Sequence, residues 1–286
     1  MMKRQKSFEK TGAALYLVAT PIGNLEEMTP RAIAVLKQVD VIAAEDTRNT
    51  WKLLTHFDIH TKLIAHHKYN EAASTHGLLE LLDAGKSIAL VSDAGYPLIS
   101  DPGERITKAV IDAGYPVIPI SGANAMLNAL VASGLVTQPF LFYGFLPSHT
   151  KEQIKELQLL REYPQTLIFY EAPHRMEKTL DNMLTVFGDR ECCLARELTK
   201  RHEEFLRGQI SEIRDVCEIL RGEMVLVVSG YQKEKDQALD MPAIYARIDR
   251  YINEGCSSKE AIKKAATECG ISKNELYKQY HEQLNS

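Results

Sequence analysis

The chain has 286 residues, of which 45% are hydrophobic and 25% are charged, and its formal net charge at pH 7 is −4. This composition is typical of a soluble globular protein, and the length is sufficient for two domains or slightly more. A negative net charge excludes the strongly basic class of nucleic-acid-binding proteins, so any nucleic acid must be held by a local basic surface.

Several other classes are disfavoured by the pattern of the sequence. No apolar run approaches the roughly 18 residues that span a bilayer, so we expect no membrane segment. The five cysteines contain no C-x-x-C pair, which favours reduced thiols in a cytoplasmic protein and no metal site. Neither G-x-G-x-x-G nor a P-loop occurs, so a dinucleotide or nucleoside triphosphate site is disfavoured.

The first part of the chain alternates strands with helices. Residues 1–13 are polar and are predicted to form a disordered tail. Apolar runs at 15–20, 39–45, 62–65, 87–92 and 116–120 are predicted strands, with helical patterns between them. Strands separated by helices indicate a mostly parallel sheet with right-handed crossovers, which we assign to an N-terminal α/β domain at residues 14–120.

The loop at residues 92–103 is the most informative segment of this domain. It follows a buried strand and is rich in Gly, Pro, Asp and Ser, as expected of a ligand site at the carboxyl end of a strand. The carboxylates of Asp93 and Asp101 can hold an amine or a sulfonium but repel a phosphate. The alternative is an ordinary turn in which Asp101 caps the next helix and Pro102 takes its first position. A second loop of this kind follows the strand at 15–20.

The remainder of the chain divides into two further segments. Residues 121–232 are predicted to form a second α/β domain, whose short strands at 191–195 and 204–208 favour an antiparallel pair and hence a mixed sheet. Residues 233–286 are interpreted as a charged linker and three helices with a helix-turn-helix pattern. This unit is either a clamp for RNA or a small bundle that binds nothing.

A series of motifs in a recognisable order carries a family resemblance. The motifs are VATPIGNL (18–25), AEDTR (44–48), the loop 91–103, SGANA (121–125), YGFLP (143–147), YEAPHR (170–175), RELTK (196–200) and GEM (222–224). The chain resembles the tetrapyrrole-methylase superfamily, and within it the members that methylate ribosomal RNA. The resemblance implies a fold of two α/β domains, with a parallel and then a mixed sheet, followed by a small helical domain.

The same resemblance implies an activity and a set of ligand contacts. It implies a homodimer that uses S-adenosyl-L-methionine to methylate the 2'-hydroxyl of a cytidine in the decoding region of 16S rRNA in the small ribosomal subunit. By resemblance, the cofactor is expected on Pro21, Asp93, Ala94, Gly95, Ile99, Ser100, Ala123, Ala125, Tyr143 and Met224.

The chemistry of ribose methylation directs attention to further residues. A ribose hydroxyl is a weak acid, so a nearby base should assist. Glu45 and Glu171 follow predicted strands and are candidate catalytic residues together with Arg48, whereas Asp46 is better interpreted as a helix N-cap. Cations that can hold RNA are His174, Arg175, Arg196 and Lys200. For Arg196 and Lys200, solvated ion pairs are the competing interpretation.

Two other functions compete with RNA methylation. The first is methylation of a tetrapyrrole or another small molecule, as in the wider superfamily. The second is a non-enzymatic nucleic-acid-binding regulator built around the helix-turn-helix pattern, which leaves the two long ligand-type loops unexplained.

Overall fold

The computed structural model describes residues 2, 4–8, 12–67, 71–101, 103–232, 241–269 and 271–284. Its contacts divide the chain into two compact units, residues 1–231 and 232–286. Parts of the predicted tail and linker lie outside the described residues. Within the tail, the side-chain amide of Gln5 exchanges two hydrogen bonds with the backbone of Val117, at 2.8 and 2.9 Å. Val117 belongs to an edge strand, whose unpaired backbone groups explain why it holds this part of the tail.

The first sheet is wholly parallel, with the strand order β3-β2-β4-β1-β5, which confirms the predicted parallel sheet. Its strands are β1 (Leu15–Val18), β2 (Val41–Ala44), β3 (Lys62–Ala65), β4 (Ile88–Val91) and β5 (Val117–Ile120). The helices of this part are α1 (Pro30–Gln38), α2 (Thr47–His56), α3 (Glu71–Asp83) and α4 (Glu104–Ala113). β2 and β4 are buried at every position, because a parallel sheet is covered on both faces.

The helices α2 and α4 begin with different kinds of N-cap. The side chain of Asp46 accepts the backbone N–H of Arg48 at 2.8 Å, so Asp46 is the N-cap of α2, as predicted. Gly103, not Asp101, is the N-cap of α4, and it makes no side-chain cap. The interpretation of Asp101 as a cap is therefore wrong, because its carboxyl group is hydrogen-bonded to Glu45 instead. Pro102 lies outside the described residues.

The second sheet is mixed, as predicted, with the order β6-β7-β10-β8-β9. β6 and β7 are parallel, and the other neighbours are antiparallel. Its strands are β6 (Phe140–Phe145), β7 (Thr166–Glu171), β8 (Glu191–Arg196), β9 (Glu204–Gln209) and β10 (Met224–Val228). Its helices are α5 (Ala125–Ser133), α6 (Thr150–Leu160), α7 (Pro173–Phe187) and α8 (Ile210–Val216). α5 begins at Ala125 because the side chain of Asn124 caps it, accepting the N–H of Leu127 at 2.9 Å.

The C-terminal unit contains α9 (Met241–Asn253), α10 (Ser258–Cys269) and α11 (Lys273–Leu284), which confirms the predicted helices. Its core is formed by apolar side chains of all three helices, among them Ile248, Ile262 and Leu276, each fully buried. Ser257 and Glu260 form a reciprocal cap at the start of α10. Gly270, which follows α10 in the sequence, lies outside the described residues. The predicted domain boundaries at residues 120 and 232 stay predictions.

The thiols and the helices of the described segments limit what else the fold contains. None of the described helices is both long and apolar enough to cross a membrane. The cysteines are free, and burial raises the pKa of the Cys192 thiol to about 12, which makes it unreactive. The described part of the chain holds no cluster of three His, Cys, Asp or Glu side chains arranged for a metal ion.

Candidate functional site

A cavity of about 380 Å³ opens where the loops after β1, β4 and β5 face the loops of the second sheet. We call it the first cavity. It is lined by Ile22, Asp93, Ala94, Gly95, Tyr96, Ile99, Ser100, Asp101, Asn124, Ala125, Phe145, Tyr170, Glu171, Ala172, Pro173, Leu198, Gly222, Glu223, Met224 and Val225. Several of these residues follow the carboxyl ends of parallel strands, where α/β sheets bind ligands. Its size is within the range of small-molecule sites.

Backbone hydrogen bonds tie the loops of the first sheet together around this cavity. Thr20 and Gly95 exchange N–H···O bonds of 2.9 and 3.0 Å. The N–H of Gly122 donates to the hydroxyl of Tyr96 at 3.2 Å, which joins the loops after β4 and β5. Gly95 has φ of +73°, a conformation that glycine adopts without strain. Leu98, in the same loop, has φ of +76°, so backbone strain is concentrated beside the site.

Three carboxyl groups converge at the edge of the cavity. Glu45, at the end of β2, is hydrogen-bonded to Asp101, and Asp93 is close enough to act on both through its charge. Partial burial, followed by the charges of Asp101 and Asp93, raises the pKa of Glu45. Burial also raises the pKa of Asp101. A hydrogen bond between two carboxyl groups requires one proton, so this pair retains a proton to higher pH than isolated carboxyl groups do.

Glu171 also lines the first cavity, but its carboxylate is held by neighbours. Its side chain is only 1% exposed and pairs with Nε of Arg175 at 3.2 Å. The other oxygen accepts the hydroxyl of Thr179 at 2.7 Å, and the N–H of Ala172 donates to the first at 2.8 Å. Arg175 in turn donates to the carbonyl groups of Leu146 and Pro147. The Glu171 carboxylate therefore fixes the start of α7 against the loop after β6.

A second cavity of about 230 Å³ lies on the other side of Asp93. It is lined by Thr20, Pro21, Gly23, Leu25, Asn49, Thr50, Lys52, Leu53, Ser92 and Asp93. Asp93 borders both cavities, and the side-chain amide of Asn49 donates to its carboxylate at 3.2 Å. The two cavities are thus neighbours separated by the loop that carries Asp93.

Comparison with known proteins decides the family. The chain matches the family described as Tetrapyrrole (Corrin/Porphyrin) Methylases over residues 14–214. This protein belongs to the tetrapyrrole methylase family. A relative from Bacillus subtilis (strain 168), named "Ribosomal RNA small subunit methyltransferase I", is 50% identical over 98% of this chain and 99% of its own.

Solved structures of distant tetrapyrrole methylases share the fold. Cobalt precorrin-4 methyltransferase is 15% identical, with a TM-score of 0.60 over 76% of this chain and 94% of its own. Uroporphyrin-III C-methyltransferase from Thermus thermophilus, complexed with S-adenyl homocysteine, is 19% identical, with a TM-score of 0.56 over 76% of this chain and 97% of its own.

The tetrapyrrole methylase fold gathers most of the predicted cofactor residues into one place. The first cavity is lined by Asp93, Ala94, Gly95, Ile99, Ser100, Ala125 and Met224. Pro21 lines the second cavity instead. Ala123 packs against an apolar cluster beside the cavity, and Tyr143 packs against the core on the opposite face of β6, where its hydroxyl donates to Glu156 at 3.0 Å.

Tyr143 faces the core through the ordinary alternation of a strand, because Leu141 and Tyr143 pack on one face of β6 and Phe142 on the other. The register between β6 and β7 shifts between Phe142 and Gly144, and Gly144 has φ of +83°. Such a bulge adds one residue to the strand and breaks the alternation of side chains between the two faces. Phe145, two positions further on, reaches the first cavity, where its ring lies edge-on to Tyr170 at 5.5 Å between centroids.

The predicted substrate cations are mostly engaged in ion pairs. Arg196 pairs with Glu204 at 2.5 Å, and Lys200 pairs with Glu197 and Glu223 at 3.0 Å each. These pairs agree with the competing interpretation of Arg196 and Lys200 as members of an ion-paired surface. The remaining predicted cations differ from one another: Arg175 is held by Glu171, His174 is exposed at the start of α7, and the side chain of Arg48 is 86% exposed beside Asp46.

Sequence reasoning missed several residues that line the first cavity. Asn124, Tyr170 and Gly222 were within the quoted motifs but received no role. Gly222 has φ of +95°, and a Cβ there would lie 2.2 Å from a carboxylate oxygen of Glu197, so only glycine fits. The sequence signal for this close approach was the glycine itself, which stands beside a charged residue in the short motif GEM.

Proposed function

We propose that this protein transfers a methyl group from S-adenosyl-L-methionine to the 2'-hydroxyl of a cytidine in the decoding region of 16S rRNA. The observation that carries the proposal is the 50% identity, over 98% of the chain, to a relative named "Ribosomal RNA small subunit methyltransferase I". Identity that extends over nearly all of both chains includes the C-terminal helices as well as the two sheets. The cytidine and its 2'-oxygen are inferred from the resemblance of the motifs.

The first cavity is the proposed site of S-adenosyl-L-methionine. Asp93 and Asp101 supply negative charge for its amine and sulfonium, and the apolar side chains of Ile99, Leu198 and Val225 suit an adenine ring. A distant relative of the same fold was solved with S-adenyl homocysteine, which supports this class of ligand. When bound, the cofactor supplies a methyl group on a positively charged sulfur.

The proposed base for the ribose hydroxyl is Glu45, with Asp101 as its partner. As the ribose oxygen forms a bond to the methyl carbon, the carbon–sulfur bond breaks, its electron pair goes to sulfur, and the hydroxyl proton must leave. The carboxylate of the Glu45–Asp101 pair is positioned at the cavity edge to accept this proton. Because burial and neighbouring charges raise the pKa of Glu45, it is a stronger base than an ordinary carboxylate.

The other predicted site residues receive positioning or RNA-binding roles in this proposal. Glu171 and Arg175 hold the wall of the first cavity through their buried pair. Arg196 and Lys200 lie on either side of Leu198 in the sequence, and Leu198 lines the first cavity. We propose that they and His174 attract the RNA backbone. Arg48 begins the helix that borders the second cavity.

The C-terminal helices are proposed to contact RNA. We expect deletion of residues 243–286 to weaken binding to small ribosomal subunits at least tenfold, because the helix-turn-helix unit is removed, while S-adenosyl-L-methionine affinity stays unchanged. Filter binding to subunits and calorimetric titration of the cofactor provide the two measurements. Equal affinity of the truncated and full chains for subunits would contradict this role.

The proposed assembly is a cytoplasmic homodimer. Exposed apolar side chains on α5 and on the edge strand β6, among them Val131 and Phe140, provide a surface that a second copy can cover. Reduced cysteines suit the cytoplasm. Sedimentation equilibrium tests the dimer, and a mass of one chain at all concentrations would contradict it.

The activity is tested by supplying radiolabelled S-adenosyl-L-methionine and two classes of acceptor. We expect label to enter RNA of small ribosomal subunits taken from a strain that lacks the gene, and none to enter a tetrapyrrole such as uroporphyrinogen III. Label in the tetrapyrrole but not in RNA, with the cofactor bound, would replace the RNA proposal with methylation of a small molecule.

A further inference from the structure

The second cavity is lined by residues of α2 that take no part in the proposed cofactor site. Its wall on the helix side is formed by α2, which contributes Asn49 and Lys52, and its other wall is formed by the loop after β1. It meets the first cavity at Asp93, which also lies within electrostatic reach of Glu45. A group placed in this second cavity is therefore next to both the proposed methyl donor and the proposed base.

The exposed face of α2 continues from this cavity to an aromatic ring. The 3.6-residue period of the helix places Lys52 at the cavity, Arg48 in the middle of the exposed face, and Trp51 on its far flank. Trp51 is the only tryptophan of the chain, and 63% of its surface is exposed. This exposed ring is available for a planar ligand to stack on.

The charges on this face are not equivalent. Nε and Nη2 of Arg48 donate to the two carboxylate oxygens of Asp46, at 3.1 and 2.6 Å, so that guanidinium is neutralised locally. The side chain of Lys52 is exposed and forms no hydrogen bond or ion pair with any residue that the structure describes. Lys52 is therefore the cation of this face that is available to an external anion.

A cation beside a groove, followed by an exposed aromatic ring, is the arrangement that binds single-stranded nucleic acid. Bases stack on aromatic rings with little dependence on sequence, and lysine side chains contact the phosphates between them. The carboxylates of a tetrapyrrole would also gain from Lys52, but a tetrapyrrole held in the cavity does not require a stacking ring beyond it.

We propose that the target nucleotide of a single-stranded RNA segment enters the second cavity, and that the strand crosses α2 so that Lys52 contacts a phosphate and a neighbouring base stacks on Trp51. This inference rests on the proposed function and names its acceptor site. Asn49 is a positioning residue in this arrangement, because its amide holds the carboxylate of Asp93 between the two cavities. Recognition of an unstacked nucleotide is the usual mode for sequence-specific RNA binding.

The single tryptophan allows a test that does not depend on catalysis. Fluorescence excited where tyrosine does not absorb reports Trp51 alone. We expect a short, cytidine-rich, single-stranded oligoribonucleotide to quench this emission in a saturable and salt-dependent way, and S-adenosylhomocysteine alone to leave it unchanged. Binding of the oligoribonucleotide without any change in Trp51 emission would overturn the proposal.

Kinetics with unmethylated small ribosomal subunits provide the second test. Base stacking on an aromatic ring is worth about 1–3 kcal/mol, so Trp51→Ala is expected to raise KM for subunits by about fivefold to 150-fold, with kcat and cofactor affinity within twofold. Trp51→Phe should restore most of the affinity, because it keeps a ring. Lys52→Ala should raise KM and reduce its dependence on salt.

Matched controls separate this site from general effects. Tyr163→Ala and Lys155→Ala remove an exposed aromatic ring and an exposed cation elsewhere in the same unit, and both should leave KM unchanged. An unchanged KM for Trp51→Ala, or a change in its oligomeric state, would overturn the proposal. Quenching by RNA without methyl transfer to any RNA would instead contradict the proposed function and leave the RNA contact standing.

Discussion

Glu45→Gln is expected to lower kcat for RNA methylation by about 10²–10⁴-fold, which is the usual contribution of a general base. The amide keeps the size of the side chain and a hydrogen bond towards Asp101, but it cannot accept the ribose proton. The affinity for S-adenosyl-L-methionine should stay within about threefold, because the substitution leaves Asp93 and Asp101 in the cavity wall. Single-turnover methyl transfer at saturating subunit and cofactor concentrations measures the effect.

Glu104→Gln is the matched control for this substitution, since Glu104 is an exposed carboxylate at the start of the neighbouring helix α4. Its kcat should equal that of the natural protein. The rate of the natural protein should rise with pH through the raised pKa of the Glu45–Asp101 pair, and this acid limb should be lost in Glu45→Gln. A Glu45→Gln variant with full kcat and an unaltered pH profile would exclude Glu45 as the base.

The same pair should also leave a signature in stability. Because the pKa of Glu45 is higher in the folded than in the unfolded chain, the folded state binds more protons between those two values. The free energy of unfolding therefore falls as pH rises from about 4 through the folded pKa. Glu45→Gln should be more stable than the natural protein at pH 7, and the difference should vanish in acid. Urea unfolding at both pH values tests this sign.

Glu171→Gln is expected to lower the free energy of unfolding by about 3 kcal/mol, at the lower end for a broken buried ion pair. The amide cannot satisfy Arg175, Thr179 and the N–H of Ala172 together, so at least one donor is left unpaired. We expect a loss at the lower end of this range because Arg175 is 24% exposed and keeps its two carbonyl acceptors. Urea denaturation at neutral pH measures the loss.

Glu177→Ala is the control on the same helix. Glu177 is 48% exposed and pairs with Arg214, so its removal should cost less than about 1 kcal/mol. The comparison also distinguishes two roles for Glu171. If it acts structurally, the folded fraction of Glu171→Gln retains most of its kcat. If Glu171 were the base, as the sequence also allowed, kcat of the folded fraction would fall by orders of magnitude.

The sheets were predictable from sequence because their signals are local. Buried strands such as β4 are short apolar runs, and helices such as α2 begin at recognisable caps. The loop after β4 could be recognised as a ligand site because of its length and its position at the end of a strand. The parallel and mixed sheets were therefore both predicted in the observed order.

Other features depend on contacts that sequence alone does not reveal. Asp101 resembled a helix cap, but its partner, Glu45, is remote in sequence and meets it only in the folded chain. Phe145 reaches the first cavity, on the face of β6 opposite to Tyr143, because a bulge at Gly144 shifts the register of the strand. Arg196 pairs with Glu204 at the start of β9, and Lys200 pairs with the nearby Glu197 and the remote Glu223, so sequence alone could not separate these ion pairs from RNA contacts.

The central claim concerns one atom of one nucleotide, and it is tested most directly by identifying the methylated nucleoside. Small subunits that lack the modification are incubated with the natural protein and labelled S-adenosyl-L-methionine, and the rRNA is digested and analysed by mass spectrometry. The proposed function predicts label in 2'-O-methylcytidine, formed at an initial rate at least about 100-fold lower with Glu45→Gln. Label on a base, on another nucleoside or in no RNA, with the cofactor bound, would contradict it.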